Sequence, residues 1–206
     1  MVANPQYSTY HSTYMTPEEY LSWEPTQDVR YEYVSGKVFA MTGGTKPHNR
    51  IAGNLYTALD SHLADKGCEV FIADVKLQLS SNGPYRYPDV MVTCDPRDKE
   101  NNKFVEYPCL IVEVLSPSTE AKDRGVKFKR YRQLETLKEY VLIQSEQIGV
   151  ECFRKNEQGL WVLYSYEAGE TVNLESVGLF ISVEALYRQV NFDNQDELAG
   201  EEDDDN

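Results

Sequence analysis

Positive charge is scarce in this chain. Its 206 residues carry 20 Lys+Arg against 34 Asp+Glu, a formal net charge of -14. That balance argues against a protein that coats DNA nonspecifically and against a partner for anionic membranes. Long hydrophobic runs are missing as well. Nothing approaches the ~20 apolar residues needed to cross a bilayer. The opening MVANPQYSTYHSTYM has no basic stretch followed by an apolar one, so no secretory signal is expected. Cys68, Cys94, Cys109 and Cys152 show no C-x-x-C spacing, and His11, His48 and His62 are scattered, so no zinc centre is expected. Cys68, Cys109 and Cys152 lie among apolar residues in the manner of buried free thiols. The cysteines therefore point to a reducing, cytoplasmic compartment.

A foldable core is present. Hydrophobic residues make up 41% of the chain and charged residues 26%, which excludes wholesale disorder. The length suits one domain or two small ones. Residues 1–15 are polar and Tyr-rich and are expected to be a loose arm. Residues 193–206 hold eight acidic residues and no basic one, the composition of a solvated, disordered tail. Without those eight charges the rest of the chain carries a net -6.

Between these ends the pattern alternates. Thr16-Pro17-Glu18-Glu19 is a capping-box helix start, and 30–35 and 37–41 pivot on Ser35-Gly36 as a hairpin. Ile51, Leu55, Leu59 and Leu63 recur at i+4 steps, predicting an amphipathic helix over 47–66 that Gly67 ends. Strands are expected at 69–73, 75–80, 86–93, 139–144, 148–154, 160–166 and near 179–181, with helices at 120–135 and 183–190. The run CLIVEVL at 109–115 reads as a central strand covered on both faces. With no interdomain linker before residue 190, this predicts one α/β domain over 16–192 with a mixed sheet.

Three features look chemical. Glu113 interrupts CLIVEVL, where a carboxylate costs several kcal/mol unless paired with a Lys or Arg or bound to metal. Asp89 follows Pro88, which cannot donate to a sheet ladder, so Asp89 belongs near a strand end. If the two strands are neighbours, the carboxylates share one spot. Two such charges ~4 Å apart repel by ~4 kcal/mol at an effective dielectric of 20. A cation relieves that repulsion, and hard oxygen ligands suit Mg²⁺ or Mn²⁺. The third feature is KDRGVKFKRYR at 122–132, six basic residues with one Asp in an otherwise acidic chain. It is either a solvated face or a phosphate-binding one. Asp123, Lys127 and Tyr131 fall at i, i+4 and i+8, on one helix face. Lys127 can then point at the carboxylates while Lys129, Arg130 and Arg132 meet phosphates.

The order Pro88-Asp89, Glu113 in an apolar strand, then a basic helix resembles the PD-(D/E)XK nuclease superfamily. The wider sequence is similar to its Uma-type branch, a bacterial family of "putative restriction endonucleases". The matching pieces are MTPEEYL (15–21), YEYVSGKVFAM (31–41), His48-Asn49, ADVKLQL (73–79), YPDVMV (87–92), LIVEVLSPST (110–119), DRGVKF with Tyr131 (123–131) and LKEYVLI (137–143), which together span roughly 15–190. The superfamily's lysine two residues after the Glu is absent, because Leu115 stands there. In this branch the lysine is moved to the following helix, where Lys127 fits.

The resemblance implies a restriction-endonuclease-like mixed β-sheet flanked by helices, acting as a Mg²⁺ (or Mn²⁺) dependent endonuclease on DNA. It implies Asp89, Glu113 and the Val114 carbonyl as metal ligands, Lys127 as the catalytic amine and Glu32 as a further carboxylate. His48 is then a substrate contact or a helix cap. A homodimer and no membrane partner are expected. Two rivals stay open: a catalytically silent binding protein on the same fold, and a homodimeric interaction protein built on its 15 tyrosines.

Overall fold

The computed structural model describes residues 14–192; the acidic tail and all but the end of the expected arm lie outside them. Helix α1 (Pro17–Trp23) starts as the capping box predicts, with Thr16 Oγ1 accepting from Glu19 N and the Glu19 carboxylate accepting from Thr16 N. The hairpin follows as β1 (Tyr31–Val34) and β2 (Lys37–Ala40). Helix α2 (Lys46–Leu63) buries Ile51, Ala52, Leu55, Leu59 and Leu63, the predicted stripe. The chain turns beyond it at Gly67, which has a positive φ of 73°.

A six-stranded sheet forms the centre. It is built from β3 (Glu69–Ile72), β6 (Val90–Thr93), β8 (Pro108–Leu115), β9 (Glu139–Gln144), β10 (Val150–Lys155) and β11 (Trp161–Tyr166). Their order is β11-β10-β9-β8-β6-β3, and only β8 and β9 run parallel. The sheet is therefore mixed, as expected. A smaller five-stranded sheet joins β1 and β2 to β4 (Lys76–Gln78), β5 (Tyr85–Arg86) and β7 (Phe104–Val105).

Alternation along the central strands sorts two cores. Val90, Val112, Val114 and Ile143 face α2, together with the hairpin of β12 (Thr171–Leu174) and β13 (Leu179–Ser182) and the short helix α5 (Val183–Leu186). Met91, Ile111, Leu115 and Leu142 face Leu77, Tyr131 and Tyr140 instead. All eight residues of β8 are buried, which bears out its reading as a strand covered on both faces.

Several expectations are corrected. Residues 86–93 do not form one strand. Pro88 has no N–H and a fixed φ, so the chain leaves the small sheet at Arg86 and enters the large one at Val90. The helix expected over 120–135 is α3 (Glu120–Lys122), a π turn (Asp123–Lys127) and α4 (Phe128–Tyr131). Helix α5 stops at Leu186, four residues short of the expected 190. Strand β12 has no counterpart in the sequence reading, because a four-residue alternation is too short to stand out. Cys68 is not a free thiol: it is disulfide-bonded to Cys94, whereas Cys109 and Cys152 are free and buried. Among the described residues, no helix is long and apolar enough to cross a membrane.

Candidate functional site

A cleft of about 430 Å³ opens where the two sheets meet. Its lining includes Glu32, His48, Asp89, Glu113, Val114, Lys122, Asp123 and Lys127. Strand register explains the carboxylate pair. Val90 is opposite Val112 in the antiparallel β6–β8 ladder, so one step further Asp89 stands opposite Glu113. The ladder does not continue there. Instead Val114 N donates to Asp89 Oδ2 at 2.7 Å. The strand break at Pro88 thus turns a backbone pairing into a side-chain one.

Glu113 is 3% exposed and pairs through Oε1 with Tyr131 OH at 2.9 Å and Lys127 Nζ at 2.9 Å. Lys127 Nζ also lies 2.8 Å from Asp123 Oδ1. Asp123, Lys127 and Tyr131 therefore share one face, as their spacing predicts. The π turn carrying the first two is held on both flanks. Arg124 pairs with Glu120 at 2.7 Å and with Glu151 on β10. Tyr140 OH donates to the Asp123 carbonyl at 3.1 Å, and Phe128 stacks on the Tyr140 ring at 5.4 Å. π turns of this kind often occur at functional sites.

The charges are strongly coupled. Burial drives the Glu113 pKa well above the ordinary carboxylate range, and nearby Asp89 and Asp123 add to the rise against the pull of Lys127. Burial alone would lower the Lys127 pKa, but Glu113, Asp123 and Glu32 outweigh it and keep the amine protonated. Glu32 follows the same logic with opposite sign. Burial raises its pKa, and Arg86, Lys127 and Lys122 together hold it below its usual value. Glu32 Oε2 accepts from Arg86 Nη1 and from Lys122 Nζ, the latter at 3.1 Å.

His48 Nε2 is 3.2 Å from Asp89 Oδ2. Burial pushes the ring toward neutrality, but Asp89, Glu113 and the Val114 backbone raise its pKa. Gly44 lets the ring sit there, since a Cβ at that position would come 2.9 Å from His48 Nδ1. The helix-cap alternative for His48 does not describe its side chain, because Thr45 caps α2 by accepting from His48 N.

The structure thus brings Glu32, His48, Asp89, Glu113, Val114 and Lys127 together. It leaves Lys129, Arg130 and Arg132 exposed and outside the cleft lining. Sequence reasoning did not single out Arg86 or Lys122 as polar members of the site, and gave Tyr131 a place on the Lys127 face without a role. Tyr131 had a signal in its i+8 spacing from Asp123. Arg86 had none, since it meets Glu32 across 54 residues of chain. Among the described residues, no group of three or more His, Cys, Asp and Glu side chains is arranged to hold a metal ion.

A family profile described as "Putative restriction endonuclease" (Uma2) matches residues 17–184. An uncharacterized protein of Synechocystis sp. is 43% identical over 178 residues, covering 86% of this chain and 94% of the relative. A second uncharacterized protein of that organism is 34% identical over 163 residues, covering 78% and 92%. A solved structure, a "putative nuclease belonging to DUF820" from Anabaena variabilis, superposes with a TM-score of 0.69 at 18% identity over 84% of this chain and 97% of its own. That likeness shows the shared fold.

Proposed function

Since the chain belongs to the Uma2 family of "putative restriction endonucleases", we propose that residues 16–192 form a nuclease domain that hydrolyses DNA phosphodiester bonds with Mg²⁺ or Mn²⁺. The observation that carries this reading is the Asp89–Glu113 pair facing a buried Lys127 in one cleft. The donor set fits a hard divalent cation. The contacts to Glu113 fall on Oε1 and those to Asp89 on Oδ2, so each carboxylate keeps a second oxygen for a ligand. Burial raises the Glu113 pKa most and the nearby Asp89 and Asp123 add to it, and a cation beside the carboxylate opposes both. Two carboxylates and the Val114 carbonyl give three oxygen donors and leave room for water, as Mg²⁺ prefers.

When bound, the ion supplies a more acidic water and neutralises charge on the transition state. Lys127 supplies a fixed ammonium for the attacking water or the phosphoryl oxygens. Glu113 and Asp123 hold that ammonium at 2.9 and 2.8 Å, so it is oriented before substrate arrives. His48 steadies Asp89 from the outer side. Glu32, neutralised by Arg86 and Lys122, acts on charge balance and is the member furthest from a ligand role. Lys129, Arg130 and Arg132 would meet DNA backbone running past the cleft.

A homodimer is part of this reading. Strand β11 is an edge strand of the large sheet, and Val162, Leu163 and Tyr164 on it are exposed, as is Leu160 just before it. Residues 160–166 carry no charge, so two copies can pair there without like-charge repulsion despite the net -14. Cytoplasmic placement stays in the proposal through its DNA substrate. The Cys68–Cys94 bond counts against the thiol argument for it.

The test is incubation of plasmid and short duplexes with Mg²⁺, Mn²⁺ or EDTA, beside Asp89→Asn and Glu113→Gln. Cleavage that needs the metal and both carboxylates is expected. Cleavage unchanged in either variant removes the proposal. Metal-independent DNA binding without cleavage favours the silent binding protein, which the acidic net charge already suits.

A further inference from the structure

One wall of the cleft touches no reacting group in the chemistry above. Ser116, Ser118, Thr119 and Lys122 line it together. Ser118 and Thr119 precede Lys122 by four and three residues, which sets them about one helical turn away along the chain. Ser116 Oγ lies 3.1 Å from both the Ser118 and the Thr119 hydroxyl. Hydroxyls in such a cluster can rotate to donate to an incoming oxygen.

The two cleft lysines are in different situations. Lys127 is buried and locked between two carboxylates. The Lys122 side chain is 43% exposed, and among the described residues its ion pair is with Glu32 Oε2 at 3.1 Å. That oxygen also accepts from buried Arg86. Glu32 therefore keeps a cation when Lys122 moves away, and an ion pair with one exposed partner is weak to begin with. Lys122 is thus the cationic group of the lining most free to transfer to an anion in the cleft.

We propose that Ser118, Thr119 and Lys122 form a phosphate subsite that grips the DNA backbone next to the scissile bond. The subsite rests on the nuclease reading for its substrate. On binding, Lys122 exchanges the Glu32 carboxylate for a phosphodiester oxygen, and the two hydroxyls donate to the same phosphate.

Fluorescence anisotropy of a short fluorescein-labelled DNA duplex with the full chain in EDTA, across a salt series, reads this grip without metal or turnover. Lys122→Met is expected to make the slope of log affinity against log salt shallower by about 0.9, the loss of one phosphate contact. Lys122→Arg keeps the wild-type slope, and so does Lys138→Met, a lysine exposed outside the cleft. A wild-type slope in Lys122→Met overturns the subsite. So does an equal loss in Lys138→Met, or a wild-type chain with no affinity for the duplex. The two readings fail differently. A Lys122-dependent slope without Mg²⁺-dependent cleavage removes the nuclease and leaves the subsite. Cleavage with unaltered KM in Lys122→Met removes the subsite and leaves the nuclease.

Discussion

At the scale of single residues, Glu113 sits between Tyr131 and Lys127 with Asp89 and Asp123 close enough to raise its pKa. A carboxyl whose pKa is higher folded than unfolded gives its full stability in acid and loses it as pH rises through the folded value. At neutral pH Glu113 therefore opposes folding when no metal is bound, because the unfolded chain ionises this carboxyl and burial in the folded site resists that. Glu113→Gln keeps an acceptor for Tyr131 and removes the repulsion. In EDTA it should melt higher, by the equivalent of about 1 kcal/mol, in differential scanning fluorimetry. If the pair binds Mg²⁺ as proposed, the ion should raise the Tm of the wild type and leave that of this variant unchanged. A lower melting temperature in EDTA would mean that the ion pair with Lys127 outweighs the burial. Gly44 makes a second residue-scale case. An alanine there meets His48 Nδ1 at 2.9 Å and pushes the ring off Asp89. Gly44→Ala should cut Mg²⁺-dependent cleavage about tenfold, as loss of a group supporting a ligand does. Its urea-denaturation midpoint should stay near wild type.

At the scale of elements, the site depends on how three segments end or bend. Strand β6 begins one residue after Asp89, β8 carries Glu113 through the sheet, and the π turn delivers Lys127. A buried pin at the other end of β9 holds the sheet to the C-terminal hairpin. Glu139 is fully buried and accepts from Arg154 Nε at 2.7 Å, Glu175 N at 3.1 Å, and Ser176 N at 2.8 Å. Removing it leaves Arg154 Nε and two backbone donors without their acceptor, while the rest of the guanidinium keeps the Asn173 carbonyl and Glu175. Glu139→Ala should cost about 3 kcal/mol, read as a lower urea midpoint. A cost below about 1 kcal/mol would show that water replaces the carboxylate there. The sequence foretold β8 from CLIVEVL and α2 from its i+4 leucines, because both patterns are long and regular. It did not foretell the π turn. Helical periodicity over 120–131 is nearly the same with or without one wide turn, and contacts from Arg124, Phe128 and Tyr140 accompany that turn.

At the scale of the whole molecule, charge and edges matter more than any one contact. A chain at -14 repels copies of itself, and the β11 edge is a place where the strand adds no charge of its own to that repulsion. Leu163, 49% exposed on that edge, tests it. Wild-type protein should scatter light as a dimer in size-exclusion chromatography, and Leu163→Lys as a monomer with an unchanged Tm. A monomeric wild type removes the homodimer from the proposal. The same acidity bears on DNA binding. Cleavage and affinity should both fall with salt, by a shallow slope, since the basic groups that face the substrate are few and each phosphate contact adds about 0.9 to it.

The amino-acid order by itself determined the mixed sheet, the buried central strand, the capped first helix and the carboxylates, amine and tyrosine whose spacing marks the site. These follow from periodicity and from the cost of placing Glu113 in an apolar run, and both are local properties of the chain. Tertiary structure alone decided what those groups touch. Arg86 reaches Glu32 only because β1 and β5 pair, and His48 reaches Asp89 only because α2 packs across β6 and β8. Cys68 and Cys94 meet because β3 lies against β6. Lys129, Arg130 and Arg132 look like a phosphate grip as a charge run, yet burial of Tyr131 turns them out of the cleft and leaves Lys122 in it. Contacts between distant segments depend on how sheets and helices stack, and no local pattern encodes that.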